Sequence, residues 1–421
     1  MTVAQTQQRT EEHDAPARLS ELRRELLAFY DAHHRDLPWR GSRDPYAIWV
    51  SEVMLQQTQS SVVKGYFEPF LARFPTPCAL ASAPLDDVLA AWRGLGYYAR
   101  ARNLWVAAQL VVERHQGQLP RSAAALRKLP GFGRYTTGAV ASIAFGLPEP
   151  LVDGNVDRVL SRLFAVEGLP GDPTRERTLW TLAGRLVQGE RPGDWNQALM
   201  ELGATLCLPS RPACLLCPVR GSCAALARGL EDRLPPPRPA PARRPLRLAV
   251  AVARRRGRLL LGRRPPRGLF GGLWELPSRE VPRAAAAASV RRTLVRALGP
   301  GTRVGAWMGN VERTLTHRTL TLSLFAATAP RRPSPGPYAE LRWVRPEEAA
   351  GLGMSTAMVT ALRTLGLVDA QRATRRAPMA RASGMPSRST RSAQAPGRAK
   401  LSVQPMPKRR GTIKAGSPGL T

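Results

Sequence analysis

The chain has 421 residues, with 63 Lys+Arg against 31 Asp+Glu and a formal net charge of +32. A hydrophobic content of 43% excludes a wholly disordered chain, and the length predicts two or three domains. The basic excess points to a polyanion, nucleic acid first, although the 12 Lys+Arg of the acid-free stretch 370–421 supply part of it.

Residues 1–18 are polar and aperiodic and are expected to be disordered. From 19 to 230, apolar residues recur three and four apart. This predicts helices over Leu19–Ala32, Pro45–Lys64, Ser82–Trp92, Ala99–His115, Ser122–Lys128, Tyr135–Phe145, Gly154–Phe164 and Thr174–Gln188. Gly- and Pro-bearing turns separate them, and no alternating strand is visible, so this domain reads as all-helical. The proline-rich segment 231–245 reads as a stiff linker. Strands are then expected near 246–262, 319–328 and 341–344, with helices over Ala284–Leu298 and Ser355–Leu365. Together they make a mixed α+β domain over 246–370. Residues 371–421 are rich in Arg, Ser, Pro and Gly and read as a disordered basic tail. No apolar run approaches the roughly 18 residues that cross a bilayer. The N-terminus lacks the order of a signal peptide, so a cytoplasmic protein without a membrane partner is expected; it is further expected to be a monomer and nucleoid-associated.

Cys207, Cys214, Cys217 and Cys223 follow the spacing C-x6-C-x2-C-x5-C. Four thiolates on one short stretch suit a metal centre, and their number fits zinc or an iron–sulfur cubane alike. Arg211, Arg220 and Arg228 surround the loop and could meet phosphate, while Cys78 stands apart and reads as a core residue. Between two predicted helices lies Leu129-Pro130-Gly131-Phe132-Gly133. Its glycines permit a tight turn whose backbone N–H groups, with the next helix N-terminus, would hold a phosphate. Asp153 precedes a helix and is either its N-cap or a catalytic carboxylate, whereas Asp157 reads as a surface residue. Glu52 lies between apolar neighbours, and Gly94 and Gly96 favour an exposed loop around Tyr97.

The string SEVMLQQT (51–58) resembles MutY-type adenine DNA glycosylases of the endonuclease III, helix–hairpin–helix superfamily. LPWR (37–40), GLGYYARARNL (94–104), NQALMELGA (196–204) and RRPPRGLFGGLWELP (263–277) agree, and the resemblance runs from about residue 20 to about 365. It implies an all-α helix–hairpin–helix glycosylase domain with an iron–sulfur loop, a Nudix-like lesion-reading domain and the tail. The implied partner is double-stranded DNA containing A:8-oxoguanine or A:G mispairs, and the implied cofactor is a [4Fe–4S] cluster on the four cysteines. Glu52 matches the family's acid and Asp153 its sugar-side carboxylate, with Tyr135 and Asn155 supporting Asp153. The logic parallels two-carboxylate glycoside hydrolysis. Glu201 matches a position contacting adenine, and Gln56 and Tyr97 match intercalating residues. Arg40, in LPWR, is counted with Leu129, Gly131 and Gly133 among the DNA-binding positions. Leu315-Thr316-His317 stands where many relatives have the reading triplet Phe-Ser-His.

Tyr135 occupies the position at which strand-cutting relatives carry a Schiff-base lysine, so a monofunctional enzyme is expected. An endonuclease III-type pyrimidine-lesion lyase and a non-catalytic iron–sulfur DNA-binding protein are the alternatives. In working Nudix hydrolases a helix with the pattern R-E-x-x-E-E holds magnesium. Here it reads Arg292-Thr293-Leu294-Val295-Arg296-Ala297, without a carboxylate.

Overall fold

The computed structural model describes residues 16–237, 242–282, 287–349 and 351–368. The first part is helical: α1 (Pro16–His33), α2 (Pro45–Leu55), α3 (Ser60–Arg73), α4 (Pro77–Ser82), α5 (Leu85–Ala91), α6 (Ala99–His115), α7 (Ala123–Leu126), α8 (Arg134–Phe145), α9 (Gly154–Leu163), α10 (Pro173–Leu186), α11 (Pro192–Thr205) and α12 (Ala224–Ala227). Three starts share one device. Asp44, Thr76 and Asp172 accept N–H groups of the first turns of α2, α4 and α10, and a proline follows each at the first helical position.

Four expectations need correction here. The helix expected over Pro45–Lys64 is two helices, interrupted where Gln57 takes φ +56°. The expected disordered lead-in overlaps α1, which begins at Pro16; residues 1–15 lie outside the described residues. α4 is six residues long, too short to show a period, and α11 is buried on several faces, so no stripe marks it. Cys78 is exposed rather than in the core.

The helices enclose two hydrophobic cores. One gathers Trp49, Phe70, Trp92 and Leu104 from α2, α3, α6 and the loop after α5. The other gathers Leu26, Val159, Leu160, Leu179, Trp195 and Leu199 from α1, α9, α10 and α11. α9 shows the logic clearly: Val156, Val159, Leu160 and Leu163 form one buried stripe. α8 runs between the cores, sending Val140 and Ala141 into the first and Ala139 into the second.

The second part is a seven-stranded mixed sheet of β1 (Arg244–Arg255), β2 (Arg258–Arg263), β3 (Trp274–Glu275), β4 (Ser278–Glu280), β5 (Arg303–Thr314), β6 (Arg318–Thr328) and β7 (Glu340–Val344). Its helices are α13 (Ala287–Leu298), α14 (Pro346–Ala349) and α15 (Thr356–Thr364). β1 runs parallel to β6, and β5 pairs antiparallel with β6 as an edge strand. Along β1, Leu248, Val250 and Val252 face the core containing α15, and Ala249, Ala251 and Ala253 face the core containing α13. A strand covered on both faces reads as a continuous apolar run. β5 was not anticipated, because two register shifts near Trp307 break its alternation. β1 also begins one residue before the expected end of the linker. Linker residues 238–241 and the expected tail 371–421 lie outside the described residues.

Several bonds fasten the sheet to the helices. Trp274 Nε1 donates to Asp86 Oδ1 (3.0 Å), Tyr98 Oη to the Met354 carbonyl (3.0 Å) and Arg93 Nη2 to the Leu352 carbonyl (2.8 Å). Gly353 sits so close to Leu89 that an added Cβ would lie 2.5 Å from the leucine Cβ.

Candidate active site

The seam along α8 brings the two carboxylates into one electrostatic site. α2 is apolar nearly all round and packed on every side, so Glu52 is only 4% exposed. From α8, Tyr135 Oη donates to Glu52 Oε2 at 2.6 Å, so it holds Glu52 rather than supporting Asp153 as expected. Burial pushes the Glu52 carboxyl up to about 7; the negative charge of Asp153 adds to this, while the Tyr135 bond and Arg40 oppose it. Burial also raises the Tyr135 phenol well above its usual range, and both carboxylates add to that, so it stays a donor.

Asp153 is the N-cap that the sequence allows, and the same carboxylate lies in the electrostatic site of Glu52. It caps α9, its Oδ1 accepting from the N–H of Asn155 (2.9 Å) and Val156 (2.7 Å). Its Oδ2 accepts from Asn155 Nδ2 at 3.1 Å. Burial raises its carboxyl above the usual range, and these donors with Arg158 offset part of the rise. Glu52 has one donor, so the proton of the pair belongs on Glu52 and the charge on Asp153. Arg158 continues the support: Nη2 donates to Asn155 Oδ1 (2.9 Å) and Nε to the Cys207 carbonyl (2.6 Å). Gly203 of α11 makes room, since a Cβ there would lie 2.7 Å from that of Asn155. Asp157, expected at the surface, instead pairs with the buried Arg175 at 2.5 Å.

Arg40 and Glu201 are placed differently from the expectation. Glu201 is fully buried. Its Oε1 accepts from the backbone N–H (3.0 Å) and Nε (2.7 Å) of Arg35, and its Oε2 from Arg35 Nη2 (3.0 Å) and Arg40 Nη2 (2.5 Å). Four donors fill the lone pairs of a carboxylate, so the group has no acceptor left for a base. Burial alone would raise its carboxyl, but the two arginines hold it below the usual range. Arg40 is turned inward as well, its side chain 9% exposed and its guanidinium over the Tyr30 ring, so it does not face DNA. Glu201→Gln is therefore expected to destabilise the fold by about 3 kcal/mol, because it leaves a guanidinium poorly paired. Chemical denaturation measures this; unchanged stability with impaired excision would restore the base-contact role.

Tyr97 is 39% exposed and stands at φ +47° in its loop, as the flanking glycines suggested. Sequence reasoning missed what holds it. The buried Arg100 donates to the carbonyls of Val53, Met54, Gln56 and Leu95, tying the end of α2 to the Tyr97 loop. In the sequence Arg100 is merely one of several arginines after YY. Gln56 caps α2, and its Nε2 donates to Thr136 Oγ1 at 2.9 Å. In the hairpin, Leu129 is buried and anchors the turn, while Gly131 (φ +84°) and Gly133 lie exposed. No side chain caps α8 after Gly133, which leaves its first N–H groups for an anion.

Leu315, Thr316 and His317 form the loop between β5 and β6, with Thr316 and His317 exposed and Leu315 packed against the sheet core. Thr316 Oγ1 accepts from Tyr97 Oη at 2.8 Å, so the two expected DNA-contacting positions meet.

Cys207, Cys214, Cys217 and Cys223 line one pocket with Arg162, whose Nη1 donates to Cys207 Sγ at 3.3 Å. Among the described residues no three or more His, Cys, Asp or Glu are gathered as a site for a metal ion, so the thiols line a space rather than meet at a point. Burial raises the thiols of Cys214, Cys217 and Cys223, that of Cys217 to about 12, and the neighbouring cysteines add to it. A positive centre among these sulfurs would hold them as thiolates. A set of four cysteines around one pocket suits zinc or an iron–sulfur group alike.

The HhH-GPD superfamily base excision DNA repair protein model matches residues 50–185, and a NUDIX domain model matches 249–364. The chain is 39% identical over 410 residues to the adenine DNA glycosylase of Homo sapiens, covering 82% of this chain and 74% of that one. It is 38% identical over 403 residues to the Mus musculus enzyme, with 82% and 78% covered. The chain belongs to the adenine DNA glycosylase family. It is a DNA N-glycosylase of base excision repair, built from a helical glycosylase part and a Nudix-like part. The matched segment 50–185 holds Glu52, Tyr135 and Asp153, so the glycosylase part contains the acidic seam. Among the described residues no helix is long and apolar enough to cross a membrane.

Proposed function

We propose that the chain excises adenine opposite 8-oxo-7,8-dihydroguanine, and opposite guanine, from duplex DNA without cutting the strand. The observation that carries this is the seam: a buried Glu52 that accepts from Tyr135, in one electrostatic site with Asp153. Breaking the C1′–N9 bond needs a better leaving group and a stabilised sugar cation. Glu52 supplies the first by protonating adenine N7, and Asp153 the second by lying beneath the sugar. The base enters after flipping, which costs a few kcal/mol. Tyr97, exposed and pinned through Arg100, fills the space left in the stack, and the first turn of α8 takes a phosphate.

The site's composition supports retention of the strand. Lys64 and Lys128, the lysines among the described residues, are both exposed, and Tyr135 spends its hydroxyl on Glu52. An imine needs an amine at the sugar. Thr316 is the candidate reader, an exposed residue at the loop tip whose hydroxyl accepts from Tyr97 and keeps its own proton to donate to the edge of the opposite base.

The reading includes a [4Fe–4S] cluster held by Cys207, Cys214, Cys217 and Cys223. When bound, the cluster supplies a fixed positive centre that organises the loop, and Arg158 carries that order to Asn155 and Asp153. Purified protein should contain iron and labile sulfide in equal amounts; zinc in their place would sink this part. The enzyme is read as a monomer.

The functional test uses duplexes carrying A:8-oxoguanine, A:G and A:T, with and without alkali. Excision should be fastest on the first and absent on the last, with breaks appearing only after alkali. Prompt breaks without alkali would contradict the monofunctional reading, and excision of an oxidised pyrimidine instead of adenine would contradict the substrate.

A further inference from the structure

α13 and β5 carry a cationic cleft that takes no part in the excision site. Arg291, Arg292 and Arg296 of α13 and Arg303 of β5, with Val295 and Val304, line a cavity of about 480 Å3. Small-molecule sites commonly fall in a range of roughly 300–1,000 Å3. α13 buries Val290, Leu294 and Leu298 against Ala249, Ala251, Ala253 and Phe325, on the sheet face opposite α15. Arg303 begins β5 and the reading loop follows its end. At about 3.3 Å per residue Arg303 and Thr314, where β5 ends and the reading loop begins, are roughly 36 Å apart along the strand.

The four arginines are exposed, and none of their side chains makes a hydrogen bond or ion pair among the described residues. From Val281 to Ala339 the sequence contains a single acid, Glu312, far along β5 from Arg303. Glu280, on the strand β4 beside α13, forms no ion pair with them. Four guanidinium groups around one cleft repel each other, and a polyanion relieves that repulsion. Arg292 and Arg296 are one helical turn apart, so their planar forks can take successive phosphate groups in paired hydrogen bonds. Val295 and Val304 add a small apolar floor, and no aromatic ring lines the cleft to stack a base. This is also the helix that lacks carboxylates, with Arg296 standing at one of their positions. A guanidinium offers phosphate the positive charge that a carboxylate-held metal would, without activating water.

We propose that this cleft binds a short chain of phosphate groups, free or as the arm of a nucleoside triphosphate, without a metal and without hydrolysis. The full chain is titrated calorimetrically, in the presence of a chelator, with inorganic tripolyphosphate and separately with ATP. Wild type is compared with the double variants R292Q/R296Q and R291Q/R303Q. These positions are exposed, so folding is expected to be unchanged, and matched thermal melts check it. The expected result is one saturable site above the diffuse background of the basic residues 370–421, weakened at least tenfold in each double variant, with excision from duplex unchanged. Equal affinity for both ligands identifies a site that reads phosphate alone; tighter ATP binding identifies a nucleotide site. Absence of a saturable site, or equal binding in the variants, would overturn the proposal. Loss of duplex affinity with tripolyphosphate binding intact would also overturn it, because the cleft would then be a contact for flanking DNA.

Discussion

Glu52→Gln is expected to lower the single-turnover excision rate by about 10²–10⁴-fold, the range usual for a general acid. The amide matches the carboxyl in shape but has no proton to give N7. In the wild type the acid form is required, so the rate should fall as pH rises through about 7, the position to which burial lifts this carboxyl. The same shift makes stability fall with rising pH as well. The folded state holds the proton more tightly than the unfolded chain, where the carboxyl titrates near 4.5. Stability is therefore intact below 4.5, falls as pH rises to about 7, and stays reduced above. The full loss is about 3 kcal/mol at 1.36 kcal/mol per unit. Glutamine does not ionise, so the variant should gain on wild type between pH 5 and pH 8 while remaining inactive. Denaturant titrations at both pH values measure this; a stability difference independent of pH would mean that Glu52 is not the buried acid.

Asp153 tests the other half of the seam, and its two jobs separate by choice of replacement. Asp153→Asn keeps a good N-cap for α9 and removes the charge beneath the sugar. Stability should stay within about 1 kcal/mol of wild type, while excision falls by about 10²–10³-fold, as when one electrostatic stabiliser is removed. Asp153→Ala loses both functions and should cost about 1 kcal/mol more than the asparagine. Wild-type excision by Asp153→Asn would leave the aspartate a cap and nothing else.

The sequence was most informative where one residue type in one place has few uses. The paired glycines around Leu95 and the carboxylates of Glu52 and Asp153 point to features the structure carries, and the four cysteines of the spaced motif line one pocket. It was least informative where the deciding partner is distant in the chain. Nothing near Glu201 indicates that Arg35, more than 160 residues earlier, fills its oxygens. Nothing near Arg100 indicates that it gathers carbonyls from two segments, because a buried arginine looks like any other until its acceptors are placed. β5 was hidden by its own irregularity and α11 by burial on several faces, and neither leaves a period to read. Cys78 reads as core by residue type alone, and exposure is a property of the assembled surface.

The first strand of the sheet has a consequence for building hybrids of this protein. Arg244, at its start, donates its backbone N–H to the carbonyl of His317 at 3.1 Å. The polypeptide leaving the helices is thereby stapled to the tip of the loop proposed to inspect the opposite base. A graft that exchanges the C-terminal half at the prolines therefore also swaps part of that loop's foundation. A splice made after Arg244 splits the staple between two parents, whereas one made before it transfers loop and foundation as a single cassette.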